Sequence, residues 1–573
     1  MSGRILVPLA ATAVGMITAA FLSSVAFRGW IPHDEGTLGQ SALRILNGQW
    51  PHADFHDVYP GLLGVIHALV FEVLGVSVAS LRWTWLVLAG VAAGTLFWLL
   101  QQRLQAVIAA CGAIGVTITA WVIYPASMPN WWNLALGLMI VALSFHGAVT
   151  FRRSLILVAG LLTGLSILIK TTGGVLIAVP VFVWLVGRSS TSGRFRTTAS
   201  VVAGLVAALL LLPAASFNRA LFFGLPVAVA VLMLSRSHQA IDSPRPRIAL
   251  ANTFLLGTIM LPVFVIALYA LTGRGASLWT GWIASPALRF EAAERDIPLN
   301  LAALILGLGV VAVGVVAVRL RIDKRLILSV ASFGLVLWGF LNWTAFSPFL
   351  FGIASWAPIG LAVLVYYKRA KVPGTDLATL VMSCAFFFLL SQVPLWNGYY
   401  AAYTIPLTAA AVMLTVPRVA TGVALGGLIT AGVFLAHSIG GLLVGPQALD
   451  EPISYTFLEN PRARIWVPEF HGYYHQLSER VAEVAATSVY AGPDAPEVAF
   501  LAAVPSANPE FFEILNPSWD SGILATVSEA GVAVVINSDP GFSARIPGDV
   551  RLMVQNEHHH REVYGKFELF WSD

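Results

Sequence analysis

The sequence is poor in charge. Only 11% of its 573 residues are charged and 57% are hydrophobic, whereas a soluble domain usually has about 25% charged residues. The formal net charge of +4 is small for this length and is dispersed along the chain, so a nucleic-acid partner is not expected. The composition predicts a polytopic membrane protein and excludes an ordinary soluble enzyme.

Cysteine is also scarce. The two cysteines, Cys111 and Cys384, both lie in apolar segments and form no CxxC pair. A disulfide framework and a cysteine-based metal site are therefore excluded. Any soluble part of the chain must be held together by packing alone.

Long apolar runs dominate the first three quarters of the chain. The first run, residues 5–27, is long enough to cross a hydrocarbon layer of ~30 Å and is interpreted as a retained signal anchor. We predict an α-helical membrane domain over residues 1–444 with about 13–15 membrane segments. The candidate segments lie near 5–27, 82–100, 106–124, 131–150, 155–170, 173–187, 199–215, 219–234, 248–271, 299–318, 326–345, 349–367, 377–395, 400–416 and 420–440.

Basic residues orient these segments. With the N-terminus in the cytoplasm, the inner loops hold 18 Lys and Arg residues and the outer loops hold 8. This asymmetry agrees with the positive-inside rule. The loop of residues 28–81 is therefore predicted to face outward, away from cytosolic nucleotides.

The tail, residues 445–573, has a different composition. It contains 18 of the 29 acidic residues and 7 of the 33 basic ones, which predicts a soluble extracytoplasmic α/β domain. A helix is expected from near Tyr473 to 487, strands at 497–504, 531–537 and 566–571, and a short helix near 521–530. The His558–His560 tract is predicted to be a solvated loop.

The outer loop carries an acid pair, Asp34 and Glu35, directly after the first membrane segment. Acids so close to lipid are costly unless they are solvated or functional, so the alternatives are a wet interfacial loop and a catalytic pair. Residues 36–48 have apolar side chains on one side of a short helix, which is typical of a helix in the membrane interface.

Further polar and aromatic side chains follow in the same loop. We predict that a substrate contacts the set His33, His56, Asp57 and Tyr59. His52 and His56 with Asp57 and Asp34 can also be interpreted as ligands for a divalent cation, but Pro51 disfavours the helix that would bring both imidazoles together. We therefore predict no metal site and no required cofactor, with a divalent cation as the alternative.

Four stretches resemble a known family. HDEG (33–36), HDVYPGLLG (56–64), GLSILIKTTGG (164–174) and WNGYYAAYTIP (396–406) resemble motifs of the GT-C glycosyltransferases, which include the protein O-mannosyltransferases and the lipid A aminoarabinose transferases. The sequence departs from these patterns at Gly61, where the mannosyltransferases have a second proline. It also departs at Asn133, where the family often has an acid.

The resemblance implies a reaction and roles for residues. The donor would be a sugar on a polyprenyl phosphate, and the sugar would be transferred with inversion to a hydroxyl of a glycan, lipid or protein acceptor. Asp34 would be the base, and Glu35 would orient it or bind the acceptor. The residues expected to bind the donor phosphate are Lys170, Arg289, Arg295, Tyr400 and Tyr403.

Plainer interpretations exist for these residues and for the protein. Lys170 ends a nearly uninterrupted apolar run, where a lysine can also extend to the lipid headgroups, and the tyrosines can belong to an aromatic belt. The alternative functions are a transporter or flippase of lipid-linked sugars and a polysaccharide polymerase or ligase of another fold. The expected location is the bacterial inner membrane, with membrane lipids as partners.

Overall fold

The computed structural model of the chain describes residues 2–189, 193–211, 223–236, 248–284, 375–392, 398–415, 417–439, 454–508, 521–529, 531–540 and 546–572. The first helices are α1 (Ser2–Ala26), α2 (Pro32–Leu46), α3 (Leu62–Leu74), α4 (Val78–Leu100), α5 (Ala106–Trp121), α6 (Pro129–Thr150), α7 (Arg153–Ile169) and α8 (Thr171–Ser189). Further helices of this part span Gly193–Leu211, Leu225–Arg236, Ile248–Leu271, Gly275–Trp279, Thr375–Phe388, Gly398–Thr415 and Pro417–Ile439.

Among the described residues, five helices are long and apolar enough to cross a membrane, and shorter apolar helices accompany them. The five cover Leu6–Ala26, Val78–Leu100, Pro129–Thr150, Thr171–Arg188 and Leu250–Leu271. The predicted class, a helical polytopic membrane protein with a small C-terminal α/β part, is confirmed. The segments predicted at 299–318, 326–345 and 349–367 lie outside the described residues.

Small residues bring α1 and α4 together. A Cβ atom added at Gly15 would lie 2.5 Å from the carbonyl oxygen of Gly90, and one at Gly94 would lie 2.7 Å from the carbonyl oxygen of Ala11. Helices associate in lipid through close approach of this kind. Because lipid tails are as apolar as the helix surfaces, van der Waals packing drives the association.

Helix α2 begins four residues earlier than the sequence pattern predicts. Pro32 occupies its first turn, where the missing N–H costs nothing, and Asp34 and Glu35 follow in the same turn. Carboxylates near a helix N-terminus are stabilised by the helix dipole. The acid pair therefore belongs to the helix itself and is not part of a loop in front of it.

The C-terminal part contains two sheets. Strands β1 (Tyr455–Phe457) and β2 (Trp466–Pro468) form an antiparallel pair. Strands β3 (Ser488–Gly492), β4 (Val532–Asn537), β5 (His560–Tyr564) and β6 (Phe567–Trp571) form a sheet in the order β3-β4-β6-β5, with β3 and β4 parallel and the other pairs antiparallel. Its helices span Tyr473–Val484, Pro496–Ala502, Ser521–Val527 and Gly548–Glu557.

Most tail predictions are confirmed and two are wrong. The helix from Tyr473, the helix near 521–530 and the strands at 531–537 and 566–571 are present. The strand predicted at 497–504 is instead the helix Pro496–Ala502, because a short apolar run is ambiguous and a proline at the first position favours a helix. The tract His558–His560 is not a solvated loop throughout, since His558 is buried and His560 lies in β5, while His559 is exposed.

The helix Pro496–Ala502, here called the docking helix, packs directly on α2. A Cβ atom at Gly36 would lie 2.4 Å from the backbone nitrogen of Glu497, and one at Gly39 would lie 2.8 Å from the ring of Phe500. Arg44 adds polar contacts, since its Nη2 donates to the carbonyl oxygens of Ser506 (2.8 Å) and Asn508 (2.7 Å). The C-terminal domain is thereby seated on the outer loop; its predicted boundary at 444/445 lies outside the described residues.

The contact at Gly36 generates a prediction. Gly36→Ala should push the docking helix away from α2 and lower stability by ~1–3 kcal/mol, the usual cost of overpacking. Thermal melting of the detergent-purified protein measures the loss. The control is Gly426→Ala, where an added Cβ meets nothing within 4 Å and better helix propensity should leave stability equal or higher. Equal melting of both variants would contradict the close packing.

Candidate active site

Asp34 lies at the centre of a small polar group. Its Oδ2 accepts a hydrogen bond from the hydroxyl of Tyr124, and its Oδ1 lies 3.5 Å from Nδ1 of His33. The carboxylate side chain keeps 17% of its surface exposed. It is therefore held in position and is still open to a second molecule.

Tyr124 is fixed by two indoles. The Nε1 atoms of Trp85 and Trp131 donate to its carbonyl oxygen at 3.2 Å and 3.0 Å. Both indoles belong to helices of the membrane part, α4 and α6. The hydroxyl that contacts Asp34 is thus placed by the rigid helices.

Glu35 points away from this group and is fully buried. Nη2 of Arg82, at the start of α4, donates to its Oε2 at 2.6 Å, and Nε of the same guanidinium donates to its Oε1. Nη1 of Arg82 donates to the carbonyl oxygen of Ala26 (2.8 Å), and Nη2 also donates to the carbonyl oxygen of Gly29 (3.1 Å). One ion pair therefore joins the end of α1, the start of α2 and the start of α4.

Lys170 lies at the break between α7 and α8, as the sequence predicts. Its Nζ donates to Oδ1 of Asn130 at 2.8 Å and lies 5.6 Å from the centre of the Tyr400 ring. Asn133, the residue that replaces the expected acid, donates from Nδ2 to the carbonyl oxygen of Lys170 at 3.0 Å and accepts from Ser166 at 2.9 Å. It holds the backbone of the lysine in place.

Aromatic rings connect the lysine to the acid. The ring centres of Tyr400 and Tyr403 are 5.7 Å apart, and those of Tyr403 and Tyr124 are 6.5 Å apart. Tyr403 also packs on Trp131 at 4.4 Å. The structure therefore brings Asp34, Lys170, Tyr400 and Tyr403 into one continuous group, here called the tyrosine array, with Tyr124 as a further member.

The rest of the outer loop contacts itself, α2 and the region around residues 269–282, where Tyr269 and Trp282 donate to the carbonyl oxygens of Pro51 (3.0 Å) and Pro60 (3.2 Å). Asp57 is buried, accepts from Oγ of Ser41 at 2.5 Å and from the backbone N–H of Tyr59 at 3.0 Å, and its burial raises its pKa. Burial likewise lowers the pKa of His56, and that of His52 to about 4. Through these contacts, Asp57 and Tyr59 stabilise the conformation of the loop.

The two histidines of this loop were also considered as metal ligands. The ring centres of His52 and His56 are 5.8 Å apart. Over the ranges that the structure describes, no group of three or more His, Cys, Asp or Glu side chains is arranged to hold a metal ion. The absence of a required metal stays a prediction from the sequence, with a divalent cation as its alternative.

Two predicted site residues cannot be placed in this arrangement, and two residues of the arrangement were not predicted from the sequence. Arg289 and Arg295 lie outside the described residues. Tyr124 and Arg82 were not predicted as site residues, although a tyrosine before a proline at the end of one span and an arginine at the start of another were visible signals.

Comparisons with known proteins give distant structural matches only. No protein-family model matches the sequence, and no curated protein matches it. A crystal structure of ArnT from Cupriavidus metallidurans bound to undecaprenyl phosphate is similar at 14% identity, covering 100% of this chain and 98% of that chain with a TM-score of 0.37. A crystal structure of the Archaeoglobus fulgidus oligosaccharyltransferase tethered with an acceptor peptide is similar at 12% identity, covering 92% of this chain and 69% of that chain with a TM-score of 0.39.

The buried ion pair generates the second prediction. Arg82→Met should leave the Glu35 carboxylate buried without its partner and cost ~3–5 kcal/mol, whereas the double variant Glu35→Leu/Arg82→Met should recover most of that loss. Thermal melting in detergent measures both. Arg152→Met, an exposed arginine before α7, is the control and should melt as the native protein does. A single Arg82→Met variant of native stability would disprove the anchoring role.

Proposed function

We propose that the protein is an integral-membrane glycosyltransferase of the GT-C type, which moves a hexose or pentose from a polyprenyl-phosphate donor to an acceptor hydroxyl. The observation that carries the proposal is the tyrosine array, which joins a partly exposed carboxylate, Asp34, to a cation, Lys170. The class of donor comes from the sequence motifs at 33–36, 56–64, 164–174 and 396–406.

Asp34 is the base in this proposal. It takes the proton of the acceptor hydroxyl while the hydroxyl oxygen forms a bond to the anomeric carbon, and the bond from that carbon to the phosphate oxygen breaks on the opposite face. The configuration is inverted. Tyr124, which donates to Asp34, orients the carboxylate so that Oδ1 is the atom left for the proton.

Lys170 and the tyrosines of the array stabilise the leaving phosphate in this proposal. The electron pair of the broken bond stays on the lipid phosphate, whose charge grows as the sugar leaves. A lysine with neighbouring hydroxyls stabilises such a charge better than water does, since its donors are already oriented. Asn130 and Asn133 hold the side chain and the backbone of Lys170 in place.

Glu35 has a positioning role in this proposal and does not bind acceptor. Its carboxylate is 0% exposed and is occupied by Arg82. By fixing the first turn of α2, it fixes the direction in which the adjacent Asp34 projects. The loop residues His56, Asp57 and Tyr59 shape the wall beside the base.

The proposed location is the extracytoplasmic face of a bacterial inner membrane. Asp34, Lys170 and the C-terminal domain share one end of the helices. The opposite end carries Arg103, which binds the carbonyl oxygen of Leu414 at 2.8 Å, and the ion pair of Arg188 with Asp376. Basic residues at that end support a cytoplasmic position for it, and membrane lipids then present the donor at the other.

The base assignment is tested by Asp34→Asn, which keeps the shape of the side chain and removes its basicity. Transfer of radiolabelled sugar from the lipid donor should fall by ~10²–10⁴-fold, while binding of the donor stays close to normal. The matched control is Asp54→Asn in the same loop, an exposed residue that should keep full turnover. Unchanged transfer by Asp34→Asn would refute the assignment.

The same assay separates the proposed function from its rivals. A transferase releases polyprenyl phosphate in proportion to the sugar that reaches the acceptor. A flippase moves intact donor across the vesicle membrane and releases no lipid phosphate. Donor that crosses the membrane unchanged, with no product in a panel of lipid-linked sugars and acceptors, would overturn the proposal.

The phosphate site is tested by Lys170→Ala. The interaction of the Lys170 charge with the partly desolvated phosphate is worth ~2 kcal/mol. Its loss should therefore lower kcat/KM for the donor more than tenfold. Acceptor affinity should change little. Steady-state kinetics on matched amounts of folded protein give the answer. Arg152→Ala, at the other end of α7, is the control, and unaltered donor parameters in Lys170→Ala would contradict the role.

A further inference from the structure

The C-terminal domain reaches the candidate base through one histidine. His33 lies between two carboxylates, with Nδ1 at 3.5 Å from Oδ1 of Asp34 and Nε2 at 3.6 Å from Oδ1 of Asp494. Asp34 belongs to α2, and Asp494 belongs to the turn before the docking helix. The imidazole therefore links the base to the soluble domain.

Asp494 is built into the domain and is not a surface acid. Its side chain is only 2% exposed, and the turn that carries it is bound to β4, since Nδ2 of Asn537 donates to the carbonyl oxygen of Pro493 at 3.0 Å. Its backbone has a left-handed φ of 53°, a conformation that Asp and Asn tolerate better than most residues. The fold of the domain thus fixes where this carboxylate lies.

We propose that the C-terminal domain completes the active site, with Asp494 as a positioning residue that holds His33 protonated beside Asp34. The positive imidazole then keeps the neighbouring base ionised and ready to accept a proton. This inference rests on the proposed function, because it assigns a role to residues beside the proposed base. No covalent step is added, and no proton moves through His33.

The charges around His33 favour this arrangement. Burial opposes its protonation, but Asp34, Asp494 and Glu497 together outweigh burial and raise the pKa of the imidazole. Glu497 accepts a hydrogen bond from the hydroxyl of Tyr474 at 2.7 Å. Burial raises the pKa of Glu497, and the positive charge of Lys566 opposes that rise.

The neighbouring charged side chains on α2 and α4 are paired with each other. Glu35 and Arg82 neutralise one another in their ion pair. The hydroxyl of Tyr124 donates to Asp34. The protonation of His33 therefore depends on the three carboxylates. The C-terminal domain supplies two of them, Asp494 and Glu497, and Asp494 lies 3.6 Å from Nε2 of the imidazole.

Asp494→Asn is the test, because asparagine keeps the size and the left-handed backbone and removes the charge. The variant lowers the pKa of His33, so between the lowered and the native midpoint the imidazole is neutral in the variant and charged in the native protein. In that pH window kcat/KM should fall about tenfold, the effect of losing one close opposite charge. Below the window His33 is protonated in both proteins, above it His33 is neutral in both, and there the loss should stay below about threefold. His33→Gln, which is neutral at every pH, should show the loss at and below the native midpoint, and the double variant should add nothing further.

The controls separate this role from simple damage to the domain. Glu568→Gln removes another buried acid of the C-terminal domain, one paired with Arg551 and Arg561, and should lower stability without moving the pH profile. Asp494→Glu, which keeps the charge, should retain part of the activity in the window between the two midpoints. A profile for Asp494→Asn that matches that of Glu568→Gln would overturn the inference.

A second readout does not depend on activity. Exchange of the His33 Cε1 hydrogen for deuterium, followed by mass spectrometry of the full-length protein, reports its protonation. Its midpoint should move to lower pH in Asp494→Asn. An unmoved midpoint, or native activity of Asp494→Asn throughout the window between the two midpoints, refutes the inference. Absence of transfer by the unmodified protein refutes the proposed function instead, while the exchange result still decides the role of Asp494.

Discussion

The arrangement depends first on the buried pair of Glu35 and Arg82. Two charges with no exposed surface are costly to bury, and they persist only when their geometry is good and further hydrogen bonds support them. Arg82 makes four hydrogen bonds, two to Glu35 and one each to the carbonyl oxygens of Ala26 and Gly29. The direction in which α2 leaves the membrane is therefore fixed, and with it the position of Asp34.

A second constraint comes from the helices of the membrane part. Trp85 and Trp131 hold the backbone of Tyr124, and Asn133 holds the backbone of Lys170. Both ends of the tyrosine array are thus set by side chains on long helices. The proposed transfer reaction needs rigid support of this kind. Its donor and its acceptor approach from different sides, and their reacting atoms must be held in line.

Local sequence patterns predict some of this and miss the rest for physical reasons. The position of Lys170 follows from its place at the end of an apolar run, and β4 and β6 follow from their strand patterns. The partner of Glu35 is 47 positions away, so no local periodicity indicates it. Residues 497–504 were wrongly predicted as a strand because a short apolar run fits either structure, and Tyr124 was missed because tyrosines near span ends usually serve as interfacial anchors.

The contacts of Arg44 have a consequence for biosynthesis. They join its guanidinium to the backbone at Ser506, 462 positions later in the chain, and the docking helix packs on Gly36 in the same region. During synthesis at ~5–20 residues per second, the outer loop waits tens of seconds for the segment that covers it. A chain that stalls or is cut before that segment retains its membrane helices but leaves one face of α2 uncovered, a difference that limited proteolysis detects.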